Sequence, residues 1–293
     1  MPTTISEVAI APVQQRRDEH WGYTPATRLS SWAAAPALIE RAGFATLFPA
    51  SPEVASLYAA FVGPGVPTDS GHSTPSGEVY SWRWELGRRE VAFYGTLVRG
   101  KPTWVAWDVL PAILRLRGDL RPAGEQHAAG ELSADALRLA EALASNGGTL
   151  TTGELRRLAG FETGRERRAA YLKAVAELDR RLLVGRGFGP ADDPDDHDMR
   201  QTLIAMRHPG AIAAAEEMDD DAALRLVLTR YLSAAVFVRP TVWSRHFGLA
   251  RADVDRCLTA LERAGLVCRT RFEGEKDETF VLATDDFTTG GTS

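Results

Sequence analysis

The stretch from Thr259 to Thr284 repeats a pattern already written 83 positions earlier in the chain. Leu261, Glu262, Arg263, Leu266, Val267 and Arg269 fall on Leu178, Asp179, Arg180, Leu183, Val184 and Arg186. A repeat of this kind predicts two copies of one supersecondary unit. In the first copy SADALRLAEALASNGG carries apolar residues at helical spacing behind a serine cap, TTGELRRLAG starts on another capping residue, and GRERRAAYLKAVAELDRR runs straight into LLVGRGFG. The second copy reads DDDAALRLVLTRYLSAAV, RPTVWSRHFG, ARADVDRCLTALERAG and LVCRTRFEGEKDETFVLAT. Three helices, the third leading into a strand pair, are the pattern of a winged helix-turn-helix, here in tandem and with a shorter turn in the second wing.

The two third helices align without gaps. Tyr171, Val175 and Leu178 match Val254, Leu258 and Leu261, one stripe at 100° per residue that packs on the other helices. Arg168, matched with Arg251, and Lys173, matched with Arg256, lie off that stripe. Such a helix fits the major groove of B-DNA, where arginine takes a guanine edge or neutralises phosphates. The candidate DNA contacts are therefore Arg165, Arg168, Lys173 and the wing residue Arg186 in the first copy. In the second they are Arg245, Arg251, Arg256, Arg269 and Arg271. The competing reading is ordinary solvation, with Glu166 and Glu177, or Asp253 and Asp255, pairing the cations.

Charge follows the repeat. The net charge is −5, yet Arg156 to Arg186 holds nine basic residues against four acidic ones, and Arg239 to Arg271 seven against three. The rest of the chain is therefore strongly acidic, which confines a nucleic-acid surface to one part of the molecule.

Residues 1 to 118 form a different unit, a mixed α/β domain rich in aromatic residues. Six of the seven tryptophans precede residue 110. A helix is expected over Ala35 to Arg41, stopped by Gly43, and a Gly/Pro/Ser-rich loop over 61–78. The alternation in VYSWRWEL predicts a strand with Trp82 and Trp84 on one face, and REVAFYGTLVRGKPTWVAW predicts a hairpin turning at RGKP. A basic turn resists burial, so Arg99 and Lys101 join the candidate DNA contacts. Residues 119–131 read as a linker, 132–212 as the first winged-helix domain and 219–286 as the second. The fold class is α+β, mostly helical.

Other chemistry is sparse. Cys257 and Cys268 have neither a CxxC spacing nor a companion histidine, and read as thiols of a reducing cytoplasm without a metal. Asp192, Asp193, Asp195, Asp196 and His197 crowd the first wing without the glycine and distal glutamate of a calcium loop, so a solvated, mobile tip is expected. No cofactor motif occurs. The first residues lack the basic and apolar pattern of a secretory signal, and no stretch approaches a membrane span. A cytoplasmic, nucleoid-associated protein is expected.

The tandem winged helices, with RAGFATLFPASPEVASLYAAF at 41–61 and VAFYGTLVRGKPTWVAWDVLPAILRL at 91–116, resemble the AlkZ-related proteins of bacteria. These are relatives of the winged-helix DNA glycosylases that repair alkylated and crosslinked DNA. The resemblance implies the fold and affinity for double-stranded DNA, damaged or branched forms included. The glycosylases carry a Gln-x-Gln catalytic motif, whereas here Gln14 and Gln15 are adjacent and Gln126 and Gln201 isolated. The leading expectation is accordingly a DNA-binding regulator or repair accessory factor with no catalytic residue. Its N-terminal domain offers a surface for a homodimer or protein partner, or a ligand pocket. The alternative is a glycosylase-type enzyme, with Glu53 and Asp108 as candidate catalytic groups.

Overall fold

The computed structural model describes residues 6–162, 164–190, 193 and 195–283. Three small sheets organise a largely helical chain. In the N-terminal region the order is Ala55–Ser56, Phe44–Thr46, Pro102–Val105, Phe93–Thr96. The last two strands form the expected hairpin, and Tyr94 and Trp104 face each other in its register with rings stacked 4.2 Å apart. Helix Ala35–Ala42 ends at Gly43 and leads into strand Phe44–Thr46.

VYSWRWEL is helical, contrary to the strand expected from its alternation. It belongs to helix Pro75–Arg88, whose start is fixed by the Thr74 side chain accepting from the amide of Gly77 and by proline at the first position. Trp82 Nε1 donates to Glu78 at 2.9 Å, a bond across one helical turn. Both Trp82 and Trp84 are buried because the helix is covered on two sides, by Phe61 against Trp82 and by Phe188 against Trp84. Burial on two faces removes the polar stripe by which periodicity identifies a helix.

Both copies of the repeat fold as the pattern requires. The first has helices Ala134–Ala144, Thr152–Leu158 and Arg165–Arg180, and a sheet of Thr149–Thr151, Arg200–Leu203 and Val184–Gly187. Thr151 and Glu154 close a capping box at its second helix. The second has helices Asp220–Ala235, Pro240–Phe247 and Arg251–Arg263, with strands Phe237–Val238, Val267–Phe272 and Glu278–Leu282. Its sheet gains a fourth strand, Ser6–Val8, which runs parallel to Val267–Phe272 from the far end of the chain.

The core does not follow chain order. The buried side chains of the N-terminal region and of the second winged helix form one continuous cluster, joined for example by the edge contact of Phe44 and Phe247, 5.1 Å between centroids. The first winged helix keeps a core of its own around Leu139, Leu155, Tyr171 and Leu178, while its Leu182 and Ile204 join the larger cluster. Segment 119–131 is folded between them, not extended: it carries a short helix, Ala123–Ala128, and the fully buried Gln126 side chain donates to the Asp119 and Arg121 carbonyls at 3.2 and 2.7 Å.

Candidate nucleic-acid interface

The third helix of the first copy, Arg165–Arg180, buries Tyr171, Ala174, Val175 and Leu178. Its opposite face exposes Arg165, Arg168, Ala169, Leu172, Lys173 and Ala176. The side chains of Arg165, Arg168 and Lys173 have no hydrogen bond or ion pair among the described residues. Of the acids that might have neutralised them, Glu177 instead accepts from the amide and hydroxyl of Ser133, at 3.0 and 2.5 Å. Arg165 and Arg168 occupy the first turn, where the helix dipole already presents positive charge. Cations placed there gain nothing from their own helix, and the combined field favours an external anion such as phosphate. Between them Leu172 is 56% exposed, an apolar side chain on a charged face.

The matching helix of the second copy is self-neutralised. Arg251 donates to Asp255 at 2.7 Å and to Thr241. Arg256 bridges Asp253 at 2.8 Å and Asp221 at 3.1 Å, hydrogen bonds that raise its pKa. Arg269 is held between Glu262 at 3.2 Å and Glu278 at 3.0 Å, over the Phe280 ring. Arg271 is half-buried with an unpartnered Nε. Only Arg245 among these five is exposed without an ion pair among the described residues.

Arg245 stands in other company. The hairpin tip Val98–Gly100 packs on helix Pro240–Phe247, so Arg99 comes beside Arg245 and His246. Arg99 is exposed, sits at φ 50° and donates to the Ala50 carbonyl at 3.0 Å. Lys101 is exposed beside it. His246 Nδ1 lies 2.6 Å from Ser51 Oγ, and burial, reinforced by Arg99 and Arg245, lowers its pKa. The sequence offered no signal that Arg99, Lys101 and Arg245 would gather with this histidine. The second basic patch is thus built across two parts of the chain.

The base of the first wing is docked, while Asp193, Asp195 and His197 towards its tip are exposed. Phe188 packs edge-on to Trp84 and stacks over Trp104, with centroids 5.6 and 6.3 Å away. Helix Pro75–Arg88 admits it because a Cβ at Gly87 would overlap the Phe188 ring, and Gly185 gives Phe93 the same close approach. Beyond Phe188, Arg88 donates to the Asp196 carbonyl at 2.8 Å and His197 packs on Trp84. Asp192 lies outside the described residues. The anchoring aromatic ring is the physical reason that the base of this wing is held. Arg186 is correspondingly drawn inward and pairs with the buried Asp179 at 3.4 Å.

Of the two candidate catalytic carboxylates, Glu53 is fully buried. It accepts from Tyr231 at 2.6 Å and pairs with Arg17 at 3.4 Å and Arg239 at 3.3 Å. Arg17 also donates to the Ala235 and Phe237 carbonyls, so Glu53 is one centre of a clamp between the N-terminal helix and the second winged helix. Asp108 is exposed and pairs with Arg230 at 3.0 Å. The glutamines are scattered: Gln14 and Gln15 bond Asp18 and Glu19 on helix Ile10–His20, while Gln126 and Gln201 are buried elsewhere. Among the described residues no group of three His, Cys, Asp or Glu side chains is placed to hold a metal ion. No helix is long and apolar enough to cross a membrane among those residues.

A family model described as AlkZ related matches residues 29–198, more than half of the chain. Among solved structures, the Streptomyces sahachiroi DNA glycosylase AlkZ superposes with a TM-score of 0.60 at 16% identity, over 97% of this chain and 72% of that one. That likeness is one of fold. No curated protein matches the chain.

Proposed function

The chain belongs to the AlkZ-related family, and we propose that it is a double-stranded DNA-binding protein, a regulator or repair accessory, that docks through the first winged helix. The observation that carries this reading is the face of helix Arg165–Arg180, where three cations stand exposed without an acidic partner among the described residues. The patch of Arg99, Lys101 and Arg245 supplies further positive charge for the phosphate backbone, which such contacts position but do not read. Leu172, with Ala169 and Ala176, suits the apolar contact that a thymine methyl offers in the major groove. Embedded as it is, Glu53 serves as a structural ion, and Asp108 with Arg230 is a surface pair.

Replacing Arg165, Arg168 and Lys173 with alanine is expected to weaken duplex binding by several kcal/mol in total, at about 1 to 3 kcal/mol for a base-specific contact and less for a phosphate. Melting should hardly change, since none of the three side chains is packed. Undiminished affinity in the folded variant would remove the reading. Incubation with alkylated duplex followed by alkali is expected to leave the strand intact, and strand cleavage would assign the protein to base excision instead.

A further inference from the structure

A cleft of about 370 Å³ lies between the N-terminal region and the first wing. Its size falls in the range of small-molecule sites. Its lining carries Arg88, Arg89, Arg186 and Arg207 against a single acid, Glu90. The cations have partial partners: Arg207 pairs with Glu90, Arg88 and Arg89 each stand 3.7 Å from Glu85, and Arg186 stands 3.4 Å from Asp179.

One donor of the Arg186–Asp179 pair that borders this cleft is under-satisfied. Arg186 has a buried Nε with no hydrogen-bond partner, and the Asp179 Oδ1 facing the same pair has none either. Burial pushes the Asp179 carboxyl up, against the opposing pull of Arg186 and Thr96. Tyr94 is 5% exposed, and its hydroxyl has no hydrogen bond among the described residues. Burial raises its pKa and keeps it a donor. A buried donor left unmade costs about 1 to 3 kcal/mol, so the Arg186 Nε marks a place where an acceptor is missing.

The other end of the cleft is aromatic. Trp107 is 38% exposed, fixed by its Nε1 bond to the Glu90 carbonyl at 2.9 Å and by the His208 ring at 4.9 Å. Burial lowers the His208 pKa, so this tilted pair is an uncharged aromatic surface at neutral pH. Guanidinium groups match phosphate oxygens, and an exposed indole stacks on any base.

We propose that this cleft binds a nucleoside monophosphate, its phosphate between Arg186 and Tyr94 and its base against Trp107 and His208. Asp179 joins Arg186 to the last turn of helix Arg165–Arg180 and accepts from Thr96 Oγ1 at 3.3 Å, so an occupant of the cleft meets the seat of the recognition helix. The site stands apart from the DNA reading, because occupancy is measured without DNA.

The test is titration calorimetry of the full chain with adenosine and guanosine 5′-monophosphate, with adenosine and inorganic phosphate as separate titrants. The monophosphates are expected to bind, and each half alone to bind at least about tenfold more weakly, since charged hydrogen bonds and stacking both contribute. Tyr94→Phe should weaken binding about three- to tenfold with unchanged melting, and the Arg89→Gln, Arg207→Gln pair by about tenfold. Absence of binding at millimolar nucleotide, equal affinity for a half ligand, or unaltered affinity in both variants would overturn the site.

Discussion

The two winged helices of this chain share a pattern and differ in what their charges are for. In the second, Arg251, Arg256 and Arg269 are answered by Asp255, Asp253, Asp221, Glu262 and Glu278, and the sheet is completed by residues from the chain's beginning. In the first, the side chains of Arg165, Arg168 and Lys173 have no such answer among the described residues, and most of its core is its own. One copy has been built into the body of the protein while the other is held on it by a wing. A basic third helix is therefore evidence of a nucleic-acid surface only once the acids around it have been placed.

The sharpest way to break the comparison is through the clamp of the second copy. Glu53→Ala leaves Arg17 buried with its carboxylate gone, and losing one partner of a buried pair costs about 3 to 5 kcal/mol. Denaturant unfolding should show that loss across the N-terminal region and the second winged helix together, because they share one core. Separate transitions for these two parts would contradict the shared core.

Next in size is the tie of the first copy. Phe188→Ala removes a partly buried ring from Trp84, Tyr94 and Trp104, and should cost about 2 kcal/mol, below the 3 to 5 kcal/mol of a fully buried phenylalanine. Limited proteolysis should then cut near Pro190 faster, while duplex affinity, carried by the distant turn of the recognition helix, falls little.

The smallest effect is on the pH response. His208 and His246 both have pKa values lowered chiefly by burial, so the folded state binds fewer protons than the unfolded one. Their contribution is fully present above the ordinary histidine value of about 6.5 and is lost as pH falls below it. Melting measured between neutral and mildly acidic pH should therefore decline more steeply in the wild type than in His208→Gln, His246→Gln protein.

Much of this was legible in the sequence, and for identifiable reasons. The helices of both copies were readable because Ser133, Thr151 and Asp219 cap them and one face of each is apolar. Trp82 and Trp84 misled because their helix is covered on two sides, although Thr74 and Pro75 marked its start. The pairing of Ser6–Val8 with Val267–Phe272 joins opposite ends of the chain, and nothing local encodes such a register. At the candidate interface, the sequence located the basic helices and the local acids Asp253 and Asp255 that pair Arg256 and Arg251, but not which copy would be neutralised. Asp221 reaches Arg256 from another helix, and Glu177 is diverted to a cap, both consequences of tertiary placement.

The central claim, that the cations of the first copy are free for phosphate and those of the second are not, is tested most directly by salt dependence. Duplex affinity should be measured from low to physiological ionic strength for the wild type, for Arg165→Ala, Arg168→Ala, Lys173→Ala protein, and for Arg251→Gln, Arg256→Gln protein. Each phosphate neutralised contributes about −0.9 to the log-log slope. The first-copy variant should flatten the slope by one to three such steps, at about 0.9 each, and the second-copy variant should keep the wild-type slope. A slope that flattens in the second-copy variant and persists in the first-copy one would contradict the account.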